Sequence, residues 1–290
     1  MKARAPRASV FGEFRVVAGG TLLLIVLFMA LSAPMLAPHD PNEQDLLSTL
    51  LPPFWSAGAN ATFPLGTDTL GRCVLSRLLY GARIAVTVGT LAPIGTALLG
   101  GLLAILAGYR GGWVDWLVSR AVAVWMSFPP VVLALVLMVG FSPGLANVIL
   151  ATILVDWTRF CRVTRSEILV VMKQDYIAAA RIAGASHFSV VLRDLVPAIT
   201  PIILTLFSIE MGIAVVAESI LSFVGVSDEP HIPTWGVMVA DGLNAMYQAP
   251  FGLILPIGSI VLTVLGSGLL GDGLRRALDP RLLERPVVTA

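Results

Sequence analysis

Long stretches of this chain carry no charged residue. Residues 16–38, 84–109, 121–155 and 251–270 are free of Asp, Glu, Lys and Arg, and residues 195–226 are interrupted only by Glu210 and Glu218. About 20 consecutive apolar residues cross the hydrocarbon core of a bilayer as a helix. Composition supports the membrane reading: 57% of the 290 residues are hydrophobic and 13% are charged, against about 25% charged in an average soluble domain. The expected fold class is an all-α integral membrane protein.

The run 121–155 is too long for one span, and Phe141, Ser142, Pro143 and Gly144 break it, because Pro and Gly mark a turn. Six transmembrane helices follow, near 16–38, 84–109, 121–140, 145–160, 195–226 and 251–270. The segment before the first resembles a signal-peptide start. Its apolar run is longer than a typical signal core, and Pro34 and Pro38 follow in place of a clean cleavage site, so an uncleaved helix is expected.

Lys and Arg cluster on the cytoplasmic side of bacterial membrane proteins. Sixteen of the 19 basic residues fall in alternate segments: Lys2, Arg4, Arg7 and Arg15; Arg110 and Arg120; Arg159, Arg162, Arg165, Lys173, Arg181 and Arg193; and Arg275, Arg276, Arg281 and Arg285. The opposite side has Arg72, Arg77 and Arg83, while residues 227–250 hold Asp228, Glu229 and Asp241 and no base. Both termini are therefore expected in the cytoplasm. Three parts result: residues 1–80, with the N-terminal tail, first helix and external loop; residues 81–275, a five-helix core with a cytoplasmic loop at 159–197; and residues 276–290, a cytoplasmic tail.

In the external loop, apolar spacing from Leu70 to Leu79 suits an amphipathic helix lying on the membrane or on the protein. Asp68 is placed to cap its start. A structural and a gating role stay open. In the cytoplasmic loop, Arg159, Arg162 and Arg165 recur every third residue and read as positive-inside anchors. Residues 176–185 are rich in alanine, a strong helix former, and Gly184 ends that helix. A second short helix, 187–195, leads to Pro197, giving two helices parallel to the membrane with small residues on a projecting turn. A connecting segment of this length is usually functional.

Several classes of chemistry find no support. The only lysines are Lys2 and Lys173, neither in a phosphate-binding Gly-rich loop, so ATP cannot bind that way. His39, His187 and His231 are isolated, and Cys73 and Cys161 fall on opposite sides of the expected bilayer, which argues against a disulfide or a metal site. Neither a nucleophile elbow nor a basic nucleic-acid face is seen.

The segment 175–197, DYIAAARIAGASHFSVVLRDLVP, resembles the loop Glu-Ala-Ala, three residues, Gly, nine residues, Ile, any residue, Leu-Pro of ABC-importer permeases. Ala179, Ala180, Gly184 and Pro197 match; Ala178 replaces the glutamate, and Asp194 and Val196 replace Ile and Leu. LGTDTLGR at 65–72, ESILSFVG at 218–225, PTWGVMVADG at 233–242 and GDGLRRALDP at 271–280 match further, although Cys73 stands where Asp is usual. From about Leu24 to Pro280 the chain resembles the second-permease type of the oligopeptide/dipeptide/nickel ABC-importer family. The resemblance implies a type I ABC importer permease fold and a heterodimer with a second permease subunit. Two cytoplasmic P-loop ATPase subunits carrying ATP and Mg, and an extracytoplasmic substrate-binding protein, complete the implied assembly. It also implies ATPase coupling through Tyr176, Ala178, Ala179, Ala180, Arg181, Gly184, Ala185 and Ser186, and an external loop motif at Gly66, Asp68, Gly71 and Arg72. Short peptides are the expected cargo, with nickel or a glutathione-like solute as alternatives.

Glu210 and Glu218 are candidates for the translocation pathway, because intramembrane carboxylates are costly and functional by default. Eight positions apart, they differ by roughly 80° around a helix. For Glu210, cavity lining and a hydrogen bond to a neighbouring helix stay open. For Glu218, structural pairing and contact with a peptide's N-terminal amine stay open. Asn147 and Asp156 read as structural polar links. A stand-alone proton-coupled carrier using Glu210 and Glu218 is the alternative from another class.

Overall fold

The computed structural model describes residues 12–227 and 232–278; Lys2, Arg4, Arg7, Asp228, Glu229, His231, Pro280, Arg281 and Arg285 lie outside them. Among the described residues the chain is helical, apart from loops and one isolated antiparallel bridge between Thr67 and Cys73. The helices are α1 (Phe14–Leu36), α2 (Val74–Arg110), α3 (Gly112–Trp125), α4 (Pro130–Gly140), α5 (Leu145–Val171), α6 (Asp175–Ile182), α7 (His187–Phe223), α8 (Trp235–Asn244) and α9 (Phe251–Leu278). α1 starts at Phe14 with Arg15 in its first turn, and ends where Ala37, extended before Pro38, leaves the helical region. Its outer face carries exposed Leu24, Phe28 and Leu31. An apolar exterior of this kind suits lipid.

Four helices, α1, α2, α7 and α9, are long and apolar enough to cross a membrane, or five if α3 and α4 form one broken span. The fourth expected span is the first part of α5, which carries Asp156, Arg159 and Arg162 within its first 18 residues.

Three elements depart from expectation. The span expected at 121–140 is two helices bent by 89°. Pro129 and Pro130 cause the break: a proline ring clashes with the preceding turn and disfavours helix in the residue before it, and Pro129 is extended (ψ 128°). The bend is tied to α5 by the Trp125 Nε1–H, which donates to the Leu154 carbonyl at 2.5 Å.

The amphipathic helix expected across Leu70–Leu79 is not a separate surface element. α2 starts at Val74 and runs unbroken to Arg110, so a boundary at residue 80 falls inside it; that at 275 falls inside α9. Val74, Leu78 and Leu79 are buried against the protein, which draws those turns into line with the span. The second loop helix, 187–195, is likewise the start of α7. A π-helical segment, Val190–Leu195, joins it to the span. Pro197 has no N–H to give, and a π segment tolerates the missing donor without ending the helix.

α2 is the centre of the bundle and packs along α5, α1 and α7. Its buried face is lined by small residues, Ala85, Gly89, Ala92, Thr96, Gly100, Ala104 and Ala107. They let backbones approach closely, the usual basis of helix association in lipid. At Gly100 the approach is extreme: a Cβ there would lie 2.6 Å from the Trp157 carbonyl oxygen of α5. α9 closes the other side against α1, α7 and α8.

Candidate functional site

The α6–α7 connection is a projecting turn. Ile177 is the one fully inward residue of α6, buried with Val190 and Leu195 in the core that α2, α5 and α7 share. Opposite it, Ala178, Ala179 and Arg181 face outward, Tyr176 is exposed and Ala180 is half-buried. Gly184 makes the turn at φ 82°, and nothing lies within 4 Å of where its Cβ would be. The Ser186 hydroxyl accepts from the Ser189 N–H at 3.2 Å and caps α7. Ile182 is 88% exposed and Phe188 73% exposed, so Gly184, Ala185 and Ser186 form a small-residue bump between two bare apolar side chains. The base is braced: Tyr109 Oη lies 2.8 Å from His187 Nδ1, and the Arg181 guanidinium stacks over the Tyr109 ring at 5.3 Å. Partial burial and the nearby Asp194 carboxylate push the Tyr176 phenol above its ordinary pKa.

Inside the bundle, the Arg159 guanidinium on α5 grips Glu210 on α7 with two hydrogen bonds, Nε to Oε1 at 2.9 Å and Nη2 to Oε2 at 2.8 Å. The same Nη2 donates to Asp156 Oδ1 at 3.0 Å, one turn back on α5. Of the two openings left for Glu210, the structure shows the link to a neighbouring helix. Arg159, half-buried itself, is thus the partner of a buried carboxylate and more than the positive-inside anchor expected of it. A bidentate guanidinium–carboxylate fork holds geometry as well as charge. Asp156 also lines a cavity of about 110 Å³ among α4, α5 and α7. Glu218, further along α7, is buried and accepts from the Ser222 hydroxyl at 2.6 Å, while the neighbouring Ser219 hydroxyl gives its proton to the Val215 carbonyl at 2.8 Å. Asn147 caps its own turn by donating to the Ser142 carbonyl at 2.6 Å.

At the far end, Asp68 does not cap α2; Cys73 is the N-cap and makes no side-chain cap bond. Asp68 instead accepts from the backbone N–H of Leu70 and Arg72 and tightens the turn between Gly66 and Gly71. Its other oxygen pairs with Arg72 Nε at 2.7 Å and with Arg77. Asp241 on α8 completes a square: Arg72 at 2.7 Å and Arg77 at 3.0 Å both reach its Oδ2. Two cations and two anions thereby fasten the 66–72 loop and the first turns of α2 to α8. Cys73 and Cys161 are both free and buried.

Residues 100–284 match the family described as binding-protein-dependent transport system inner membrane component. The chain belongs to this family. The permease also matches the N-terminal transmembrane domain of oligopeptide transport permease C over residues 15–53. It is 38% identical to the dipeptide transport system permease protein DppC of Escherichia coli (strain K12), over 92% of this chain and 89% of that one. It is 35% identical to the di/tripeptide permease DppC of Pseudomonas aeruginosa (strain UCBPP-PA14), over 91% and 88%. The glutathione transport system permease protein GsiD of Pectobacterium atrosepticum is also 35% identical, over 92% and 87%. The permease is accordingly a multi-pass inner-membrane transport component.

Three charged residues of these clusters were not assigned such roles from sequence. Arg77 and Asp241 were read only as members of their segments. Opposite charge in the expected external loop and in residues 227–250 was the available signal. Arg159 had a plainer one: it sits three residues after Asp156 on a helix, and Glu210 in an apolar span demands a cation.

Proposed function

We propose that the permease forms half of the translocation pathway of an ATP-driven importer of short peptides. It spans the membrane six times with both termini cytoplasmic, counting α3–α4 as a broken third span and the first part of α5 as the fourth. A second permease supplies the other half. Two P-loop ATPases bind and hydrolyse ATP with Mg, and an extracytoplasmic binding protein delivers the peptide. The observation that carries the reading is the bare α6–α7 turn, with exposed Ile182 and Phe188 around Gly184, Ala185 and Ser186. Exposed apolar side chains beside a small-residue bump suit a partner surface. Its roots in the core through Ile177, Val190 and Leu195 give a rigid path from that surface to α5 and α7. Movement of the ATPases turns into opening and closing of the pathway as rigid-body motion at an interface. Peptide cargo is supported by the names of the di- and tripeptide relatives; glutathione, itself a peptide, is the second cargo to assay.

The test is uptake by the reconstituted complex in liposomes. Alanyl-phenylalanine enters with ATP and not without it, and Gly184→Glu, which puts a strained charged side chain on the bump, reduces uptake at least about tenfold. Uptake by this chain alone on a pH gradient sinks the reading; uptake indifferent to Gly184→Glu sinks the coupling role of the turn.

A further inference from the structure

We propose that Phe54 and Trp55, in the loop between α1 and α2, seat in the lipid headgroup layer at the charge-square end of the bundle and anchor that loop to the membrane surface. The proposal needs the multi-pass membrane location and not the importer reading. On the six-span orientation the leaflet is the outer one.

The level of the two residues follows from the spans beside them. α9 is free of charge from Phe251 to Gly271 and then carries Asp272, Arg275 and Arg276. Twenty residues of helix rise about 30 Å, the thickness of the hydrocarbon core, so Phe251 stands where the span leaves that core at the other face. α1 gives the same level independently. It packs antiparallel to α9: Val16 meets Gly273, and Gly19 meets Gly266 and Leu270. Leu36, the last residue of α1, is 17 residues on from Gly19, and 17 residues back along α9 from the middle of that contact is again Phe251. Aromatic rings then pin the loop at this height from both sides. The Trp55 ring meets the Phe251 ring edge-on with centroids 5.8 Å apart, and Phe54 meets Trp55 in the same way at 4.9 Å. The buried Phe63 stacks at 4.5 Å on His39, just past the end of α1. The Phe54 N–H donates to the Pro64 carbonyl at 3.0 Å and closes the neck of the loop.

The chemistry of the loop fits that depth. Residues 46–67 contain no Asp, Glu, Lys or Arg, so no charge resists contact with the bilayer. Phe54 and Trp55 are exposed, a bare aromatic pair beside the start of a span. Phe251 heads a line of exposed apolar residues down α9, Ile254, Ile257, Val261 and Leu265, spaced as one helix face. That face suits acyl chains. The aromatic pair continues it to the level where chains give way to headgroups. Tryptophan is favoured there because its ring is apolar while its indole N–H can donate to headgroup oxygens or water. A soluble partner would need the pair to stand clear of the bilayer, and the two spans place it at the boundary. The contact also has a route into the bundle. The Gly66 N–H donates to the Phe63 carbonyl at 2.9 Å, and the Asp68 turn with its ion pairs follows directly. Lipid contact at Phe54 and Trp55 therefore sets the height of the 66–72 turn over the leaflet.

The test places a bimane fluorophore on Phe54→Cys in the reconstituted complex, held in lipid nanodiscs. Cys73 and Cys161 are buried, so background labelling is low. Phosphatidylcholine spin-labelled on the headgroup takes most of the emission, a spin label at the chain centre takes less, and aqueous iodide takes little. The same fluorophore on Gln44→Cys, exposed between Glu43 and Asp45, shows the reverse, with iodide the strong quencher. A second arm needs no cysteine. The emission of Trp55, taken as the difference between wild type and Trp55→Phe, is lost in lipid brominated near the headgroup. If Phe54→Cys does not assemble, the Trp55 arm decides. Emission as open to iodide as at Gln44 puts the loop in water and overturns the proposal. Stronger quenching from the chain centre places the pair below the headgroups and overturns it too. Emission reached by neither lipid nor iodide assigns the pair to the second permease, and emission that lipid leaves alone but the binding protein changes assigns it to that partner; both overturn the anchor. ATP-driven uptake is scored separately. Uptake without lipid quenching removes the anchor and leaves the importer; lipid quenching without uptake does the opposite.

Discussion

Arg159 shows how much one side chain can decide. Three residues along from Asp156, it is the cation that makes Glu210 tolerable in the middle of α7. Removing one partner of a buried ion pair strands the other, whereas replacing both with apolar groups is often nearly neutral. Arg159→Met therefore destabilises the permease by about 3 kcal/mol, and Arg159→Met with Glu210→Leu recovers most of the loss. Thermal unfolding in detergent reads both; a double variant as unstable as the single one would show that the pair is not the unit. The charge square at the other end offers a graded comparison. The Arg77 side chain is 4% exposed and that of Arg72 14%, and Arg77 Nε finds no partner among the described residues. Arg77 is the more committed to its two carboxylates. Arg77→Met is expected to cost about 3 kcal/mol and Arg72→Met about 1 kcal/mol; the reverse order would mean that Arg72 holds the loop.

Among the elements, α7 joins the most distant functions. One helix, His187–Phe223, runs from the Ser186 cap through a π segment to Glu210 and Glu218. A π segment holds one residue more than an α-helix of the same span. Deleting exposed Leu204, in the regular helix between that segment and Glu210, keeps the chain continuous and rotates everything before it by about 100° relative to Glu210. The expected outcome is a permease that inserts and folds but no longer couples: ATP-driven uptake falls at least about tenfold while membrane levels stay near wild type. Uptake that survives the deletion would show that the register between turn and span does not matter. The bend between α3 and α4 has a different logic. Its Pro129–Pro130 pair is plain in the sequence, but the 121–155 run is so apolar that length and the 141–144 break dominate the reading. The 89° bend also brings Trp125 within reach of the Leu154 carbonyl, a contact between residues 29 positions apart.

For the whole molecule, the remaining question is orientation. Cys73 and Cys161 are buried, so single cysteines introduced at exposed positions report against a low background. Ala183→Cys is expected to react with an impermeant thiol reagent only from the cytoplasmic side, and Ala57→Cys only from the other. Labelling of both from one side would overturn the six-span orientation.

How much was legible depends on the range of the interaction. The apolar runs, the alanine-rich α6, the turn at Gly184 and the bias of Lys and Arg are properties of neighbouring residues, and they can be read along a line. They led to a helical membrane protein and, with the matching motifs, to its family. The fusion of 74–80 with α2 was not legible, because Leu78 and Leu79 look the same whether the apolar partner is lipid or protein. Nor were the ion pairs. Arg159 and Glu210 stand 51 positions apart, and Arg72 and Asp241 stand 169 apart. Which charge meets which is settled by helix packing, here by the small residues that bring α2 against α5 and place α7 beside it. The sequence alone determined that the chain must bury its backbone in membrane-length helices, since apolar length is a local quantity. Only the tertiary structure decided that Asp156 borders a cavity while Glu210 is tied to Arg159, since a carboxylate's partners depend on three helices meeting at one point.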